Sequence, residues 1–460
     1  MTQHTTPTQM SSQGHARAIA VLGLPLIGGH VAQFAIGLTD TAMLGWYSVP
    51  ALAAITLAGS YFFAIFLFGS GFAFAVLPLV AEAQGAGDTT TERRANRMGL
   101  WLSMLYGALA MPLFWWSKEI FALLGQDPDV ARDAAQYLRI MGWGIFPALG
   151  VMVLKSTLAA GERTQVVLAM TLTAAVVNGA VNYVLIFGNF GAPELGLAGA
   201  AIASLATQLA SLLFLVIYCQ RALPEQALFQ NLHNPDWEMF SQVLRLGVPI
   251  GFTTLAEVSL FTASALMMGW LGPITLAAHG IAVGLSGLTF MVHLGLSNVA
   301  TIRAGNALGR RDLPHMKRGA KVLITMSFTF AIASIAAFLL MPETLIWFFL
   351  SPDDPARADI LIAAVALLAV AALFQLADGM QAVALGLLRG LQDTNVPMVI
   401  AVFGYWVVGI PAGYVLGFVL GFGGFGVWIG MASGLSAVAI MLFIRFWGHA
   451  VKRKDLLEAQ

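Results

Sequence analysis

Apolar runs of about twenty residues, separated by short polar breaks, recur along the whole chain. A helix of ~20 residues crosses the ~30 Å hydrocarbon core of a bilayer. The pattern therefore predicts twelve spans, at about 18–44, 52–82, 96–116, 133–155, 164–188, 197–220, 242–269, 275–306, 319–341, 358–388, 397–420 and 425–447. The predicted fold class is an all-α polytopic membrane protein. Several runs are longer than a bilayer requires, which tilt or helical extension beyond the lipid accommodates.

The pattern is also duplicated. Leu22 to Trp46, LGLPLIGGHVAQFAIGLTDTAMLGW, aligns without a gap with Leu246 to Trp270, at a spacing of about 224 residues. Pro25 pairs with Pro249, Gly45 with Gly269 and Trp46 with Trp270. The likeness continues from ALAAI (51–55) to TLAAH (275–279), from EAQGAGD (82–88) to NALGRRD (306–312), and from AAGERTQ (159–165) to RGLQDTN (389–395). The polar segment Gln220 to Glu238, with Pro224 and Pro235, separates the copies. Twelve transmembrane helices in two pseudo-symmetric six-helix lobes follow. An even number of spans per copy makes them parallel repeats about an axis along the membrane normal. The expected organisation is a tail (1–17), an N-lobe (18–220), a linker (221–241), a C-lobe (242–447) and a second tail (448–460).

Composition agrees. The chain is 58% hydrophobic and 10% charged, against about 25% charged in soluble proteins, and its mean hydropathy is +0.81. A net charge of +0 gives no reason to expect nucleic acid. Basic residues matter by position instead. Arg93, Arg94, Arg97, the cluster from Arg303 to Lys321, and Arg445, Lys452, Arg453 and Lys454 fall on one side of the membrane. The other side carries Asp127, Asp129, Asp133, Asp353 and Asp354. The positive-inside rule then puts both termini in the cytoplasm. The polar head is expected to be a short tail with the first helix retained. Cys219, the single cysteine, excludes an internal disulfide.

The candidate chemistry lies in acids inside the spans. Asp40 sits in the outer part of the first helix, where exposure to lipid would cost at least ~2.5–3.5 kcal/mol. It should face the bundle interior with partners. Asn178 and Asn182, four apart on one helix face, fall at a similar depth, and a hydroxyl from Ser204 or Thr41 would complete a site for a proton or small cation. Glu257, which aligns with Gln33 in the first copy, is interior to the seventh span, and Asp378 is interior to the tenth. If those helices adjoin, the two acids form a second site. Close carboxylates raise one another's pKa unless a cation lies between them. Asp40, Asn178, Asn182, Glu257 and Asp378 are therefore the expected cation- or proton-coupling residues, with Glu257 and Asp378 as Na⁺ ligands. Asp40, Gln33 and Asn178 are the expected substrate-binding residues.

Other features read as structure. Lys155, Arg163 and Arg303 are placed near the cytoplasmic face, so the interior is expected to hold no mid-membrane cation. His30, His279 and His293 are expected to be packing residues. Gly409, Gly413, Gly417 and Gly421 mark a close-packing face. GFGGFG (421–426) matches a dinucleotide-binding pattern but lies between two apolar helices, where that loop has no strand to follow. Asp353 and Asp354 are expected to be solvated in an outer loop. The sequence contains no zinc-protease, Walker or hydrolase-elbow motif.

These residues resemble the multidrug and toxic compound extrusion (MATE) family, in its NorM-like branch. The resemblance is carried by GLTDTAMLGW (37–46), PLVAEAQGAGD (78–88), Asn178 and Asn182, LAEVS (255–259) and ADGMQ (377–381). It implies two lobes around a central cavity, and export of cationic amphiphilic drugs and dyes across a bacterial inner membrane in exchange for Na⁺ or H⁺. It also implies an N-lobe site around Asp40 and a C-lobe cation site at Glu257 and Asp378. No cofactor is expected, and the chain is expected to be a monomer in the lipid bilayer. Some relatives carry a second Asp where this chain has Asn182, a departure that favours Na⁺ or mixed coupling over protonation alone. A lipid-precursor or polysaccharide flippase is the alternative, and it would need basic groups in its cavity. A membrane-embedded enzyme would need acids or His clustered at a membrane face.

Overall fold

The computed structural model describes residues 10–347, 349–350 and 355–452. Asp353, Asp354, Arg453 and Lys454 lie outside them. Among the described residues there are no strands, and twelve helices are long and apolar enough to cross a membrane. They are α1 (Ser12–Tyr47), α2 (Pro50–Ala86), α3 (Thr89–Trp115), α4 (Pro128–Ala160), α5 (Thr164–Phe187), α6 (Gly196–Ala222), α7 (Trp237–Leu271), α8 (Pro273–Gly309), α9 (Leu313–Leu340), α10 (Arg357–Gly390), α11 (Asn395–Val419) and α12 (Gly423–Lys452). Most run several residues past the hydropathy-based ends, because caps and not hydropathy set where a helix stops.

Those caps display the duplication in backbone form. Asp88 caps α3 by accepting from the amides of Thr90 and Thr91, each at 3.0 Å. Its repeat counterpart Asp312 caps α9, accepting from the amide of His315 at 2.9 Å. The residue before each is left-handed: Gly87 at φ 72° and Arg311 at φ 56°. Glu162 and Gln392, paired in the other loop repeat, both have φ 57°. A short helix precedes the fourth span of each copy, Ser117–Leu123 before α4 and Pro342–Trp347 before α10.

The chain forms two compact units. The first is Gly28–Leu255; the second runs through Ile27 and resumes at Ala256. The packing divisions thus fall inside α1 and α7, a short way past their interior Pro25 and Pro249. Up to Ile27, α1 packs on α8, with Ile27 against Gly295. From Gly28 onward it packs on α5, with Gly28 against Leu168. The segment 221–241 lies within the first unit and is fastened to α3. The Asn96 amide donates to Leu228 O at 3.3 Å, the Trp101 indole donates to Leu232 O at 2.7 Å, and Arg94 pairs with Asp236 at 2.5 Å.

Within lipid there is no hydrophobic drive between helices, so close backbone approach does the work. In the first unit Gly71 meets the backbone of Gly247 and Gly251. In the second, Gly413 of α11 meets Gly430 of α12, and Gly417 meets Val427. Gly421 is different: at φ 76° with open space around it, it ends α11. Large side chains fill the rest, among them Phe114 and Phe121 on either side of the Tyr61 ring. α11 is not uniformly α-helical. Phe403–Gly409 and Val415–Val419 are π-helical.

Candidate functional site

In the first unit, α1 brings Asp40 against α5 and α6. Asn182 Nδ2 donates to Asp40 Oδ1 at 2.5 Å and lies 3.2 Å from Asn178 Oδ1. Ser204 Oγ donates to Asp40 Oδ2 at 3.3 Å. The spacing of four along α5 sets this arrangement, since it stacks both amides on one face. Thr41 takes no part; its hydroxyl donates to Gly37 O at 2.9 Å.

Asn178 is 1% exposed and Asn182 0%, whereas Asp40 is half-buried. A donor, Asn178 Nδ2, and an acceptor, Asn182 Oδ1, remain unpartnered beside the carboxyl. The cluster therefore has polar capacity to spare for a bound species. Tyr137 of α4 adds a residue the sequence did not single out. Its hydroxyl is within hydrogen-bonding reach of Ser204, and it lies within Coulomb reach of Asp40. Gln33 is seven residues before Asp40 on the same helix face and is exposed. No hydrogen bond joins it to the cluster among the described residues.

In the second unit, α7 and α10 meet through a neutral bridge. Gln381 Nε2 donates to Glu257 Oε1 at 3.3 Å. Asp378, one turn earlier on α10, is 2% exposed and lies within Coulomb reach of Glu257. Asp378 Oδ1 and Gln381 Oε1 are buried without a partner, as are both amide atoms of Gln375. Among the described residues no three of His, Cys, Asp and Glu converge into a metal site. Any cation here would complete its shell from neutral oxygens, as hard cations do with amides and hydroxyls.

Arg389 lies in the last turn of α10 and is half-buried. It stands eleven residues past Asp378, so three helical turns return it to nearly the same face.

The remaining sequence candidates are built into packing. The indole of Trp428 donates to His279 Nδ1 at 3.1 Å, and His293 Nδ1 is 2.8 Å from Ser327 Oγ. Arg303 does not extend freely: its Nη2 lies 2.8 Å from His15 Nδ1 and 3.1 Å from His315 Nε2. A guanidinium only donates, so both imidazoles accept there.

A family model described as MatE matches residues 25–184 and 249–415. A probable multidrug resistance protein NorM of Rhizobium meliloti is 46% identical over 435 residues, covering 94% of this chain and 93% of that protein. The Agrobacterium fabrum protein of the same description is 43% identical over 434 residues, with the same coverage, 94% and 93%. The crystal structure of the eukaryotic MATE transporter AtDTX14 superposes with a TM-score of 0.87 at 18% identity, covering 97% of this chain and 98% of that one.

Proposed function

Because the chain belongs to the MatE family, the multidrug and toxic compound extrusion transporters, in its NorM-like branch, we propose that it exports cationic amphiphilic drugs and dyes in exchange for Na⁺ or H⁺, by alternating access. Membership itself makes it a multi-pass multidrug efflux transporter of small molecules, not an enzyme. The cation-coupled mechanism rests on one observation above the others. Asp40, a carboxylate inside a membrane helix, accepts from Asn182 and Ser204 beside unpartnered amide groups. Such a site holds negative charge without neutralising it, which suits an exchange of one cation for another.

Coupling requires that ion and drug differ in affinity between states. Competition for the same negative charge supplies the difference. A cation bound at Asp40, or at Glu257 and Asp378, disfavours the conformation that binds a cationic drug, and the drug leaves outward. The two six-helix repeats, 18–220 and 242–447, are the elements that alternate. The concentration of Lys and Arg in one set of loops supports cytoplasmic termini in a bacterial inner membrane. Export of an anionic lipid precursor would call for basic groups at the site. The groups gathered around Asp40 are instead amides and hydroxyls.

Everted membrane vesicles test this reading. Uptake of a cationic dye, driven separately by Na⁺ and by H⁺ gradients, should respond to at least one. It should be lost in Asp40→Asn at normal protein levels in the membrane. Wild-type dye uptake in Asp40→Asn would overturn the reading.

A further inference from the structure

The loop repeat that opens α3 and α9 holds its basic residues in two different settings. In the register that pairs Asp88 with Asp312, Arg93, Arg94 and Arg97 of α3 correspond to Lys317, Arg318 and Lys321 of α9. On α3 all three are partly buried and fastened to the segment before α7. Arg94 pairs with Asp236 and Glu238, Arg97 pairs with Asp236 at 3.5 Å, and Arg93 donates to Gln230 at 3.1 Å. On α9, Lys317 and Lys321 are exposed, and no described carboxylate pairs with either.

The turn before α9 adds charge of the same sign. Arg310 and Arg311 stand where the first copy has Ala86 and Gly87. Both are exposed, and no described carboxylate pairs with them. Arg311 adopts a left-handed conformation, φ 56°, that glycine takes freely and a residue with a Cβ does not. The second copy thus carries a cation at a position where glycine is the easier residue. Asp312, the one acid of this turn, is engaged in capping the helix.

The surface that continues from these cations is apolar. Helical spacing puts Lys317, Lys321, Phe328, Ile332 and Leu339 on one narrow stripe of α9, and the three apolar side chains are exposed. The buried positions Met316, Ala320, Leu323, Ser327 and Ala331 fall on another face. Ile332 lies eleven residues past Lys321, about 16 Å along the helix, close to the ~15 Å hydrocarbon depth of one leaflet. The stripe therefore offers cations at one end and an acyl-compatible surface over the depth of a leaflet. A soluble anion would use only the first.

We propose that the start of α9 binds an anionic phospholipid, its phosphate held by Lys317, Lys321 and the Arg310–Arg311 turn and its acyl chains lying along Phe328 and Ile332. Clusters of Lys and Arg just outside a membrane helix attract such headgroups. In the first copy, Asp236 and Glu238 take the place that the lipid phosphate takes in the second. The inference rests on the topology reading above only for which leaflet supplies the lipid.

The test is native mass spectrometry of the purified full-length protein in uncharged detergent, titrated with phosphatidylglycerol or with phosphatidylcholine of the same chains. The wild type is expected to half-saturate with phosphatidylglycerol at a concentration at least about tenfold lower than with phosphatidylcholine. The Lys317→Gln, Lys321→Gln double variant should raise the phosphatidylglycerol midpoint at least about tenfold and leave that of phosphatidylcholine unchanged. Arg311→Gly should raise it about fivefold with a lipid-free melting temperature no lower than wild type, which separates lost charge from lost fold. Arg93→Gln, the repeat counterpart of Lys317, should leave the midpoint unchanged. Equal midpoints for the two lipids in the wild type, a wild-type midpoint in both α9 variants, or an equal loss in Arg93→Gln would overturn the proposal. Displacement of the lipid by equimolar glycerol phosphate would overturn it too. Lipid binding in detergent reads neither orientation nor export, so the vesicle assay above can fail while this result stands, and the reverse.

Discussion

The side-chain amide of Asn182 donates to the carboxyl of Asp40, joining α5 to the outer half of α1. This one bond ties the acid to a helix that has a second amide, Asn178, one turn away. A hydrogen bond to a charged group contributes about 1.5–3 kcal/mol, and its loss leaves a buried donor or acceptor unsatisfied. Asn182→Ala is expected to lower dye efflux by roughly 10- to 100-fold. Asn182→Asp, which restores no donor unless protonated, should make efflux depend more steeply on pH than in the wild type. Initial efflux rates between pH 6 and 8 check both outcomes.

Gln381 of α10 donates to Glu257, and Asp378 lies one turn earlier on the same helix; among the described residues no hydrogen bond joins the two acids. Two like charges in a dry environment oppose each other unless a cation intervenes. Asp378→Asn should therefore be as stable as wild type, or more so, in Na⁺-free detergent buffer. The wild type should gain about 2.7 kcal/mol at Na⁺ one hundred times its dissociation constant, and Asp378→Asn should gain nothing. Melting temperature against Na⁺ concentration measures the difference.

The contact of Gly413 with Gly430 leaves no room for a side chain. A Cβ at Gly430 would come within 2.8 Å of the Ala412 carbonyl carbon and closer still to Gly413. Overpacking of this kind costs about 1–3 kcal/mol. Gly430→Val should lower the melting temperature clearly. Gly280→Val on α8, where nothing lies within 4 Å, should leave packing intact. Thermal melts of the two variants side by side give the comparison.

The clasp between α3 and the segment before α7 has a defined pH signature. Hydrogen bonding from Arg94 holds the Asp236 carboxyl below its ordinary value, with the Met239 amide assisting. A lowered folded-state pKa contributes stability that is present above the unfolded pKa of ~3.9 and is lost as pH falls through the folded value. The pair is largely shielded, with side-chain exposures of 31% and 12%, so its value lies between the surface and buried limits, at about 1–2 kcal/mol. Asp236→Asn should be less stable than wild type at pH 7, and the two should begin to converge only as pH falls below about 4. Melts across pH 7 to 3 show whether they do.

Much of this architecture can be read from the sequence because lipid imposes a strong grammar. Twelve apolar runs give twelve helices, and the polar loop repeats give matching caps at Asp88 and Asp312. Asp40 with Asn178 and Asn182 was legible because helical spacing stacks the two amides at the depth of the acid. Other features were not. Tyr137 and Tyr405 look like ordinary membrane aromatics, and only tertiary packing shows that both are buried. The π-turn that holds Tyr405 leaves no mark in hydropathy, because it alters hydrogen-bond register and not composition. The division of α1 after Ile27 is equally silent, since both halves are apolar and differ only in what they pack against.

The central claim is that a cation and a cationic drug oppose each other through buried acids. The direct measurement is the affinity of the purified transporter for a cationic dye, with and without saturating Na⁺ at pH 8 and again at pH 6. The account predicts at least about a tenfold loss of dye affinity when the cation is present, a coupling of ~1.4 kcal/mol, and no such loss in the Glu257→Gln, Asp378→Asn double variant. Equal dye affinity under all of these conditions in the wild type would contradict it.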